Sequence, residues 1–334
     1  MNPYKEVAVN IAIPLPRIEN TIASNHSIER TQLLSGLLSP QAKIDPKYFY
    51  DDLGCELFTQ ICKLDEYYPT RTEAAIFDKY RDDIGAALPE VSQWIDLGCG
   101  DCAKSTQWLE HMVPTRLVGV DIAGDFLQSS LTAVAARYPA IDCVGVVSDF
   151  TQAMDIRSLL SERPGAAPVF FYPGSSIGNF DRPHALRFLQ SIRRHCPAEG
   201  RLLIGVDLVK NRDILEAAYD DAQGVTAAFN LHVLEVVNRE LNSDFNTELF
   251  RHRALFDEAH QRIEMQLVAE CDQTVDFAGD ISRQFNAGEH VLTEYSHKYT
   301  IDGFGQMLKE AGFARYQVWT DSNQWFGVFL AEPG

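Results

Sequence analysis

Three aspartates, Asp96, Asp121 and Asp149, each lie near the end of one of three successive apolar segments. The segments are QWIDLGCG (93–100), RLVGVDIA (116–123) and DCVGVVSDF (142–150). Open α/β sheets bind their ligands at the carboxyl ends of parallel strands. Carboxylates there can accept hydrogen bonds from hydroxyl and amino groups. The spacing therefore predicts one small-molecule site rather than three unrelated surface acids.

The first segment runs into a glycine turn, Gly98-x-Gly100-x-x-Ala103, followed by a helical pattern. Such a turn lets backbone N–H groups and a helix N-terminus approach a ligand closely. Asp121 comes 25 residues after Asp96, where a carboxylate can accept both hydroxyls of a ribose. These features fit NAD, S-adenosylmethionine, or a glycine turn that only packs a helix.

Asp96 favours S-adenosylmethionine over NAD. It stands two residues before the first glycine, where a carboxylate would repel a pyrophosphate but suit the ammonium of a methionine moiety. Asp149 and Phe150 at the third strand end are suited to hydrogen-bond an adenine amino group and to cover its ring. We therefore predict that Asp96, Gly98, Gly100, Asp121, Asp149 and Phe150 bind S-adenosylmethionine.

A fourth apolar segment breaks abruptly in FYPGSSIGNF (171–180). A buried strand that ends in small, hydrogen-bonding residues usually ends at a ligand, so Gly174 is expected to close the strand against the cofactor. Asn179 has two interpretations in this loop. It can face a substrate, or it can cap the helix that follows.

The order of elements predicts a doubly wound, mostly parallel α/β sheet, because strand and helix patterns alternate between residues 90 and 210. After 211 the pattern changes to a long helical stretch (212–241) and two alternating strands, QRIEMQLVAE and HVLTEYSHKYT. A helix near 301–311 and two strands close the chain. Residues 1 to 75 show helical pieces and no strand of the sheet. We predict one domain from 76–210 plus 301–334, and an α+β domain from 1–75 plus 211–300.

Composition excludes several classes of protein. The 334 residues carry a net charge of −18, which disfavours nonspecific nucleic-acid binding and docking on an anionic membrane. No run approaches the length of a membrane span, and the N-terminus lacks a signal-peptide cleavage site. Seven scattered cysteines favour reduced thiols, and the CxxC at 99–102 lies within the glycine turn. We expect a cytoplasmic enzyme with no metal, and no obligate protein partner is evident.

Longer motifs identify a family. KYFYDDLGCELFTQICKLDEYYPTRTEA (47–74), YPGSSIGNF (172–180), LEAAYDDAQGVTAAFN (215–230), RIEM (262–265) and LTEYSHKY (292–299) resemble the L-histidine Nα-methyltransferases of ergothioneine biosynthesis. The resemblance extends from about Lys47 to the C-terminus. It implies a class I methyltransferase core with a second domain, and transfer of three methyl groups from S-adenosylmethionine to the α-nitrogen of L-histidine, giving hercynine.

The resemblance also implies roles for individual residues. Tyr67 and Tyr219 correspond to tyrosines that hold the substrate carboxylate, and Asn179 to the asparagine that faces the α-amino group. Glu294 with Ser296 matches the imidazole-binding pair, and Met265 lines that pocket. Tyr50 lies at the cofactor–substrate junction and, with Asn179, is implied to act at the reacting centre. The cofactor residues implied are Gly98, Lys104, Asp121, Asp149, Phe150 and Gly174.

Three alternatives remain open from the sequence. The first is a methyltransferase of the same family acting on another amino acid such as tryptophan, against which Glu294 and Met265 argue. The second is an NAD-dependent dehydrogenase, disfavoured by Asp96. The third is a noncatalytic S-adenosylmethionine sensor, which would not need a polar substrate pocket built from three segments.

The glycine loop itself departs from the family at Cys99 and Cys102, where relatives often have serine and threonine. Backbone groups bind the cofactor there, so we expect no loss of cofactor binding.

Overall fold

The computed structural model describes residues 15–21, 26–148 and 167–334. Its helices are α1 (His26–Leu38), α2 (Asp52–Ile61), α3 (Tyr68–Ala87), α4 (Ala103–Met112), α5 (Gly124–Arg137), α6 (Arg182–His195), α7 (Arg212–Tyr219), α8 (Val225–Leu241) and α9 (Ile301–Glu310). Its strands are β1 (Arg17–Asn20), β2 (Val91–Leu97), β3 (Arg116–Asp121), β4 (Asp142–Val147), β5 (Ala167–Tyr172), β6 (Arg201–Asp207), β7 (Phe250–Asp257), β8 (Arg262–Ala269), β9 (Gln273–Phe277), β10 (Ile281–Phe285), β11 (His290–His297), β12 (Phe313–Thr320) and β13 (Phe326–Pro333).

The chain divides into two compact units. The first comprises Met1–Ile22 and Glu90–Val169, and the second comprises Ala23–Pro89 and Phe170–Gly334. These bounds differ from those of the two domains expected from the sequence, which were drawn where the strand–helix alternation begins, is interrupted and resumes. The division into a cofactor domain and a substrate domain stays a prediction.

The first unit is a parallel sheet in the strand order β1-β4-β3-β2. Helices α4 and α5 connect β2 to β3 and β3 to β4, which is the strand–helix alternation predicted from the sequence. Gly119 and Gly145 sit where α5 packs, since a Cβ at either would meet Leu127 and Leu131 within 3.3 Å. Glycine at these sheet positions lets the helix lie close to the strands.

The expectation that residues 1 to 75 contribute no strand to the sheet was wrong. β1 pairs in parallel with β4, from Arg17 opposite Val144 to Asn20 opposite Val147. This strand is only four residues long and mostly exposed, with the burial pattern of an edge strand. It therefore lacks the apolar periodicity by which sequence identifies strands.

The second unit contains an antiparallel arrangement of β6, β13 and β12, in which β13 pairs with both neighbours. It also contains a three-stranded antiparallel sheet, β11-β8-β7, and the hairpin β9–β10. Helices α1, α2 and α8 share one apolar core with the three-stranded sheet, to which Leu37, Ile61, Val233 and Ile263 belong. Within this core the rings of Phe49 and Phe229 stack at 4.5 Å.

The helical stretch predicted over 212–241 is two helices rather than one. α7 ends at Tyr219 and α8 begins at Val225. In the break, Asp221 accepts hydrogen bonds from the backbone N–H groups of Val225 and Thr226, and Gly224 has a φ of 74°. A carboxylate at a helix N-terminus and a left-handed glycine both favour this interruption. Within the described residues, no helix combines the length and apolarity needed to span a bilayer.

Candidate active site

The glycine loop of the first unit follows β2. Gly98 and Gly100 have φ values of 71° and 50°, in the left-handed region that glycine adopts without strain. The backbone N–H of Gly100 donates to Asp121 Oδ2 at 2.9 Å, and that of Ala123 donates to Oδ1 at 3.0 Å. The carboxylate of Asp121 is thus fixed at the strand end, and each oxygen keeps a lone pair that can accept a ligand hydroxyl.

Asp96 is buried beneath this loop. Its Oδ2 accepts a hydrogen bond from the Ser105 hydroxyl at 2.5 Å, and Ser105 in turn accepts from Trp94 Nε1 at 2.8 Å. Its Oδ1 has no hydrogen-bond partner within the described part of the chain. Burial raises the pKa of Asp96 to about 7, and the hydrogen bond from Ser105 and the charge of Lys104 partly offset this increase. A buried carboxylate with an unused oxygen fits a ligand that brings a positive charge.

The other residues predicted to bind the cofactor lie in different parts of the chain. Lys104 lies in the first turn of α4. Asp149 and Phe150 fall outside the described residues. Gly174, in the second unit, follows β5 with a φ of 81°, and its N–H donates to the buried carboxylate of Glu73 at 2.8 Å. The predicted end of the fourth strand at Pro173-Gly174 is confirmed, since β5 ends at Tyr172.

A cavity opens in the second unit, with about 600 Å³ of empty space including its open mouth. Its lining includes every substrate-binding residue predicted from the sequence, together with Tyr50, which was expected at the cofactor–substrate junction. These are Tyr50, Tyr67, Asn179, Tyr219, Met265, Glu294 and Ser296, and the rest of the lining is Phe58, Ile61, Pro69, Gly174, Ser175, Ser176, Asp207, Ala218, Thr226 and Phe229.

Strand β11 presents Glu294 and Ser296 on one face, as residues two apart on a strand do. The pairing of β11 with β8 is irregular between Leu292 and Glu294, which leaves Thr293 as a bulge. The Thr293 hydroxyl is buried and donates toward Asn230 Oδ1 at 2.7 Å and Met265 O at 3.0 Å. Bulges often re-aim a side chain, and this one places Glu294 beside Met265.

Glu294 has an unusual electrostatic environment. Burial raises the pKa of its carboxyl to about 7, and the nearby ammonium of Lys298 opposes this increase. The two tyrosines of the cavity, Tyr67 and Tyr219, lie edge to face at 6.0 Å, and burial raises the pKa of both hydroxyls. Both tyrosines are therefore neutral at pH 7 and can donate hydrogen bonds into the cavity.

Asn179 ends a 3-10 helix, Ser176–Asn179, and lines the cavity. The interpretation that Asn179 caps the following helix is wrong, because the N-cap of α6 is Asp181, whose carboxylate accepts from the His184 N–H at 2.8 Å. The loop is held against β11 at Gly178, where a Cβ would lie 2.8 Å from His297 O. Only glycine allows this approach, which keeps Asn179 in place.

The sequence did not predict a buried ionic cluster that supports the cavity. Lys298 is 3% exposed and lies 2.7 Å from Asp207 Oδ2, and Asp207 also pairs with Lys210 at 2.5 Å. The Tyr68 hydroxyl donates to Asp207 at 2.7 Å. Two signals could have found these residues. Lys298 continues the alternation of Glu294 and Ser296, and Asp207 ends a buried strand as Asp121 does.

A parallel α/β unit with a glycine loop, a buried aspartate beneath the loop and a second aspartate fixed at the next strand end is the arrangement of α/β proteins that bind nucleotide-like cofactors. Residues 29–333 match the model of a family described as histidine-specific methyltransferase, SAM-dependent. The chain belongs to this family and has its class I methyltransferase fold. The predicted cofactor is thereby confirmed, and the dehydrogenase and sensor alternatives were wrong.

Individual relatives carry more specific names. A histidine N-alpha-methyltransferase of Mycolicibacterium smegmatis is 37% identical over 94% of this chain and 98% of its own length. The ergothioneine biosynthesis protein 1 of Schizosaccharomyces pombe is 27% identical over 86% of this chain and 37% of its own length. An L-tryptophan methyltransferase of Psilocybe serbica is 24% identical over 87% of this chain and 89% of its own length.

Proposed function

We propose that this enzyme transfers three methyl groups from S-adenosylmethionine to the α-amino nitrogen of L-histidine, giving hercynine for ergothioneine biosynthesis. The observation that carries the proposal is a cavity with a carboxylate, Glu294, on one strand and neutral hydrogen-bond donors on other segments. The relatives named for histidine methylation and ergothioneine biosynthesis support it.

The charges of the cavity orient the substrate. An α-carboxylate would be repelled by Glu294, so it binds at the hydroxyls of Tyr67 and Tyr219, which form stronger bonds to a charged acceptor than to a neutral one. The imidazole then lies against Glu294 and Ser296. A neutral imidazole has one N–H donor and one acceptor nitrogen, which a carboxyl and a hydroxyl can pair with.

The α-nitrogen is left near Asn179, whose side-chain carbonyl can accept from an amine N–H and so aim the nitrogen lone pair in the first two transfers; the dimethylated amine has no N–H left to donate in the third. When bound, S-adenosylmethionine supplies an activated methyl group, and Asp96 and Asp121 are the residues that would hold its ammonium and ribose. Methyl transfer depends mainly on positioning the nucleophile in line with that group. Gly174, Ser175 and Ser176 are small and line the cavity, which leaves space for added methyl groups.

The amine must lose a proton before each transfer. Among the cavity-lining residues, Asp207 is engaged with two lysines and a tyrosine, which makes it a poor base. Glu294 pairs with the imidazole. We infer that water accepts each proton between transfers.

The test is to incubate the enzyme with S-adenosylmethionine and each of the twenty amino acids separately, with mass spectrometry of the products. We expect methylation of histidine only, ending at a mass increase of three methyl groups. Methylation of tryptophan and not of histidine would refute the proposal. A Glu294→Gln variant is the matched control, because it keeps the shape of the cavity and removes its charge.

A further inference from the structure

Lys298 uses all three of its N–H donors inside the protein. Its Nζ lies 2.7 Å from Asp207 Oδ2, 3.0 Å from Tyr219 Oη and 2.9 Å from Ser296 Oγ. An ammonium has three donors and no acceptor. Both hydroxyl oxygens must therefore accept a hydrogen bond from Lys298, and neither is free to orient at random.

The two hydroxyls are also bonded to each other, with Tyr219 Oη and Ser296 Oγ 2.7 Å apart. This bond consumes one of their two hydrogens. If Ser296 donates to Tyr219, then Tyr219 offers its hydrogen to the cavity and Ser296 offers a lone pair. If Tyr219 donates to Ser296, the roles are exchanged. One of the two residues thus presents a hydrogen-bond donor to the cavity and the other presents an acceptor. As long as they are bonded to each other, they cannot both donate to a ligand.

We propose that Lys298 is a positioning residue that holds the hydroxyls of Tyr219 and Ser296 in their mutual hydrogen bond. With Tyr219 donating to the α-carboxylate of bound histidine, Ser296 can then only accept, so that the imidazole and Glu294 together bind one extra proton. The inference rests on the proposed function, because the α-carboxylate of the substrate requires Tyr219 to donate. Ser296 must then accept from a ring N–H.

The extra proton follows from counting donors. With one ring nitrogen donating to Ser296, the other either donates to an ionised Glu294, which makes the ring an imidazolium, or accepts from a protonated Glu294. In both cases the pair holds one proton more than a neutral ring and a carboxylate. Above pH 7 both free partners lack this proton, since an unperturbed imidazole has a pKa of about 6.5, so binding takes it from solvent.

Other titratable groups around the cavity do not supply the proton. Burial keeps Tyr67 and Tyr219 neutral, and two lysines keep the pKa of Asp207 below its ordinary value despite burial. The remaining lining tyrosine, Tyr50, carries no charge of its own at pH 8. On β11, Tyr295 and His297 alternate to the opposite face.

Lys210 needs a separate control, because burial lowers its pKa to about 8. Its ammonium donates to Tyr68, Asp207 and Leu208 O, and it does not line the cavity. Any proton that it exchanges on ligand binding would persist in variants of Glu294.

The experiment is isothermal titration calorimetry of hercynine, the trimethylated product, into protein saturated with S-adenosylhomocysteine at pH 8. The quaternary nitrogen of hercynine cannot titrate, so it removes the amine from the proton count. Binding enthalpies in buffers of different ionisation enthalpy give the number of protons taken up. We expect nearly one proton per ligand for the wild type. For Glu294→Gln we expect none, because an amide can donate to the neutral ring.

The decisive variants are Lys298→Met and Ser296→Ala. Without Lys298, no ammonium bridges the two hydroxyl oxygens, so they can separate and break their mutual hydrogen bond. Ser296 can then donate to the ring while Tyr219 donates to the carboxylate. Without the Ser296 hydroxyl, the ionised Glu294 can accept a hydrogen bond from the single N–H of a neutral imidazole, and no extra proton is needed. Proton uptake should vanish in both, although Glu294 is intact; a merely structural lysine would weaken binding without this change. If Lys298→Met does not fold, Ser296→Ala decides, since it keeps the Lys298–Asp207 pair.

Two results would overturn the inference. One is a wild type that binds hercynine without proton uptake, and the other is uptake that persists in the Lys298 or Ser296 variant. Failure of the proposed function has a different signature, since histidine would not be methylated and hercynine would not bind.

Discussion

Glu294→Gln should stabilise the ligand-free protein at alkaline pH, because Glu294 is held in a place that disfavours its charge. The ordinary pKa of a glutamate in the unfolded chain is 4.5, and in the folded protein it is about 7. A carboxyl with a raised pKa binds a proton more tightly in the folded state. Its contribution favours folding most below pH 4.5, and that stability is lost as pH rises to 7.

The magnitude follows from the two pKa values. Each tenfold difference in proton affinity corresponds to about 1.4 kcal/mol. The difference between 4.5 and about 7 therefore gives a cost on the order of 3 kcal/mol for the ionised side chain above pH 7. Glutamine has nearly the same shape and cannot ionise. The gain in unfolding free energy should be small at pH 5 and approach this value at pH 8.

The assay is urea denaturation of wild type and variant at pH 5, 6.5 and 8, followed by circular dichroism. Subtracting the two curves isolates Glu294 from other carboxyls, including Asp96, whose pKa burial also raises. Glu264→Gln is the control, because Glu264 on the neighbouring strand pairs with Arg262 at 2.6 Å and should lose stability rather than gain it. A Glu294 variant no more stable than wild type at pH 8, or a gain independent of pH, would refute the reasoning.

Three further predictions concern ligands. Glu294→Ala should lower kcat/KM for histidine roughly 5- to 150-fold in steady-state kinetics, because leaving the imidazole N–H without an acceptor costs about 1–3 kcal/mol. The same variant should raise activity on phenylalanine relative to histidine. Tyr67→Phe should raise KM for histidine roughly tenfold or more with kcat little changed, because its bond to the carboxylate is the same in ground and transition states; an equal loss in kcat would contradict this. Asp96→Asn should weaken binding of S-adenosylhomocysteine roughly tenfold or more by calorimetry, since its ammonium loses a charged partner; unchanged affinity would exclude that pairing.

The sequence was informative where local pattern determines structure. Alternating strands and helices predicted the parallel sheet, and the glycine turn predicted the loop beside Asp121. Period-two spacing predicted that Glu294 and Ser296 share a face. In each case the signal lies within a few residues, so one segment is enough to show it.

The sequence was less informative where structure depends on distant segments. The cluster of Asp207, Lys298, Lys210 and Tyr68 joins the end of one strand, the residue that follows another strand and the start of a helix, which lie as much as 230 residues apart. The bulge at Thr293 depends on its bond to Asn230 in α8. Local pattern can single out Lys298 and Asp207 one at a time, but it does not show that they contact each other, and these contacts set the chemistry of the cavity.

The charges in this cavity are arranged as a dipole that suits the substrate orientation proposed above. Asp207 and Glu294 are both carboxyls of the cavity lining, but two lysines lower the pKa of the first while burial raises that of the second. Lys298 and Lys210 together exceed the charge of Asp207, so the end near Tyr219 attracts an α-carboxylate. The end at Glu294 attracts a group that can carry a proton. An indole offers one N–H and no basic nitrogen, so it would leave Glu294 ionised and poorly paired. The free-energy cost of burying the ionised Glu294 side chain, which the ligand-free protein already bears, would then not be relieved by binding.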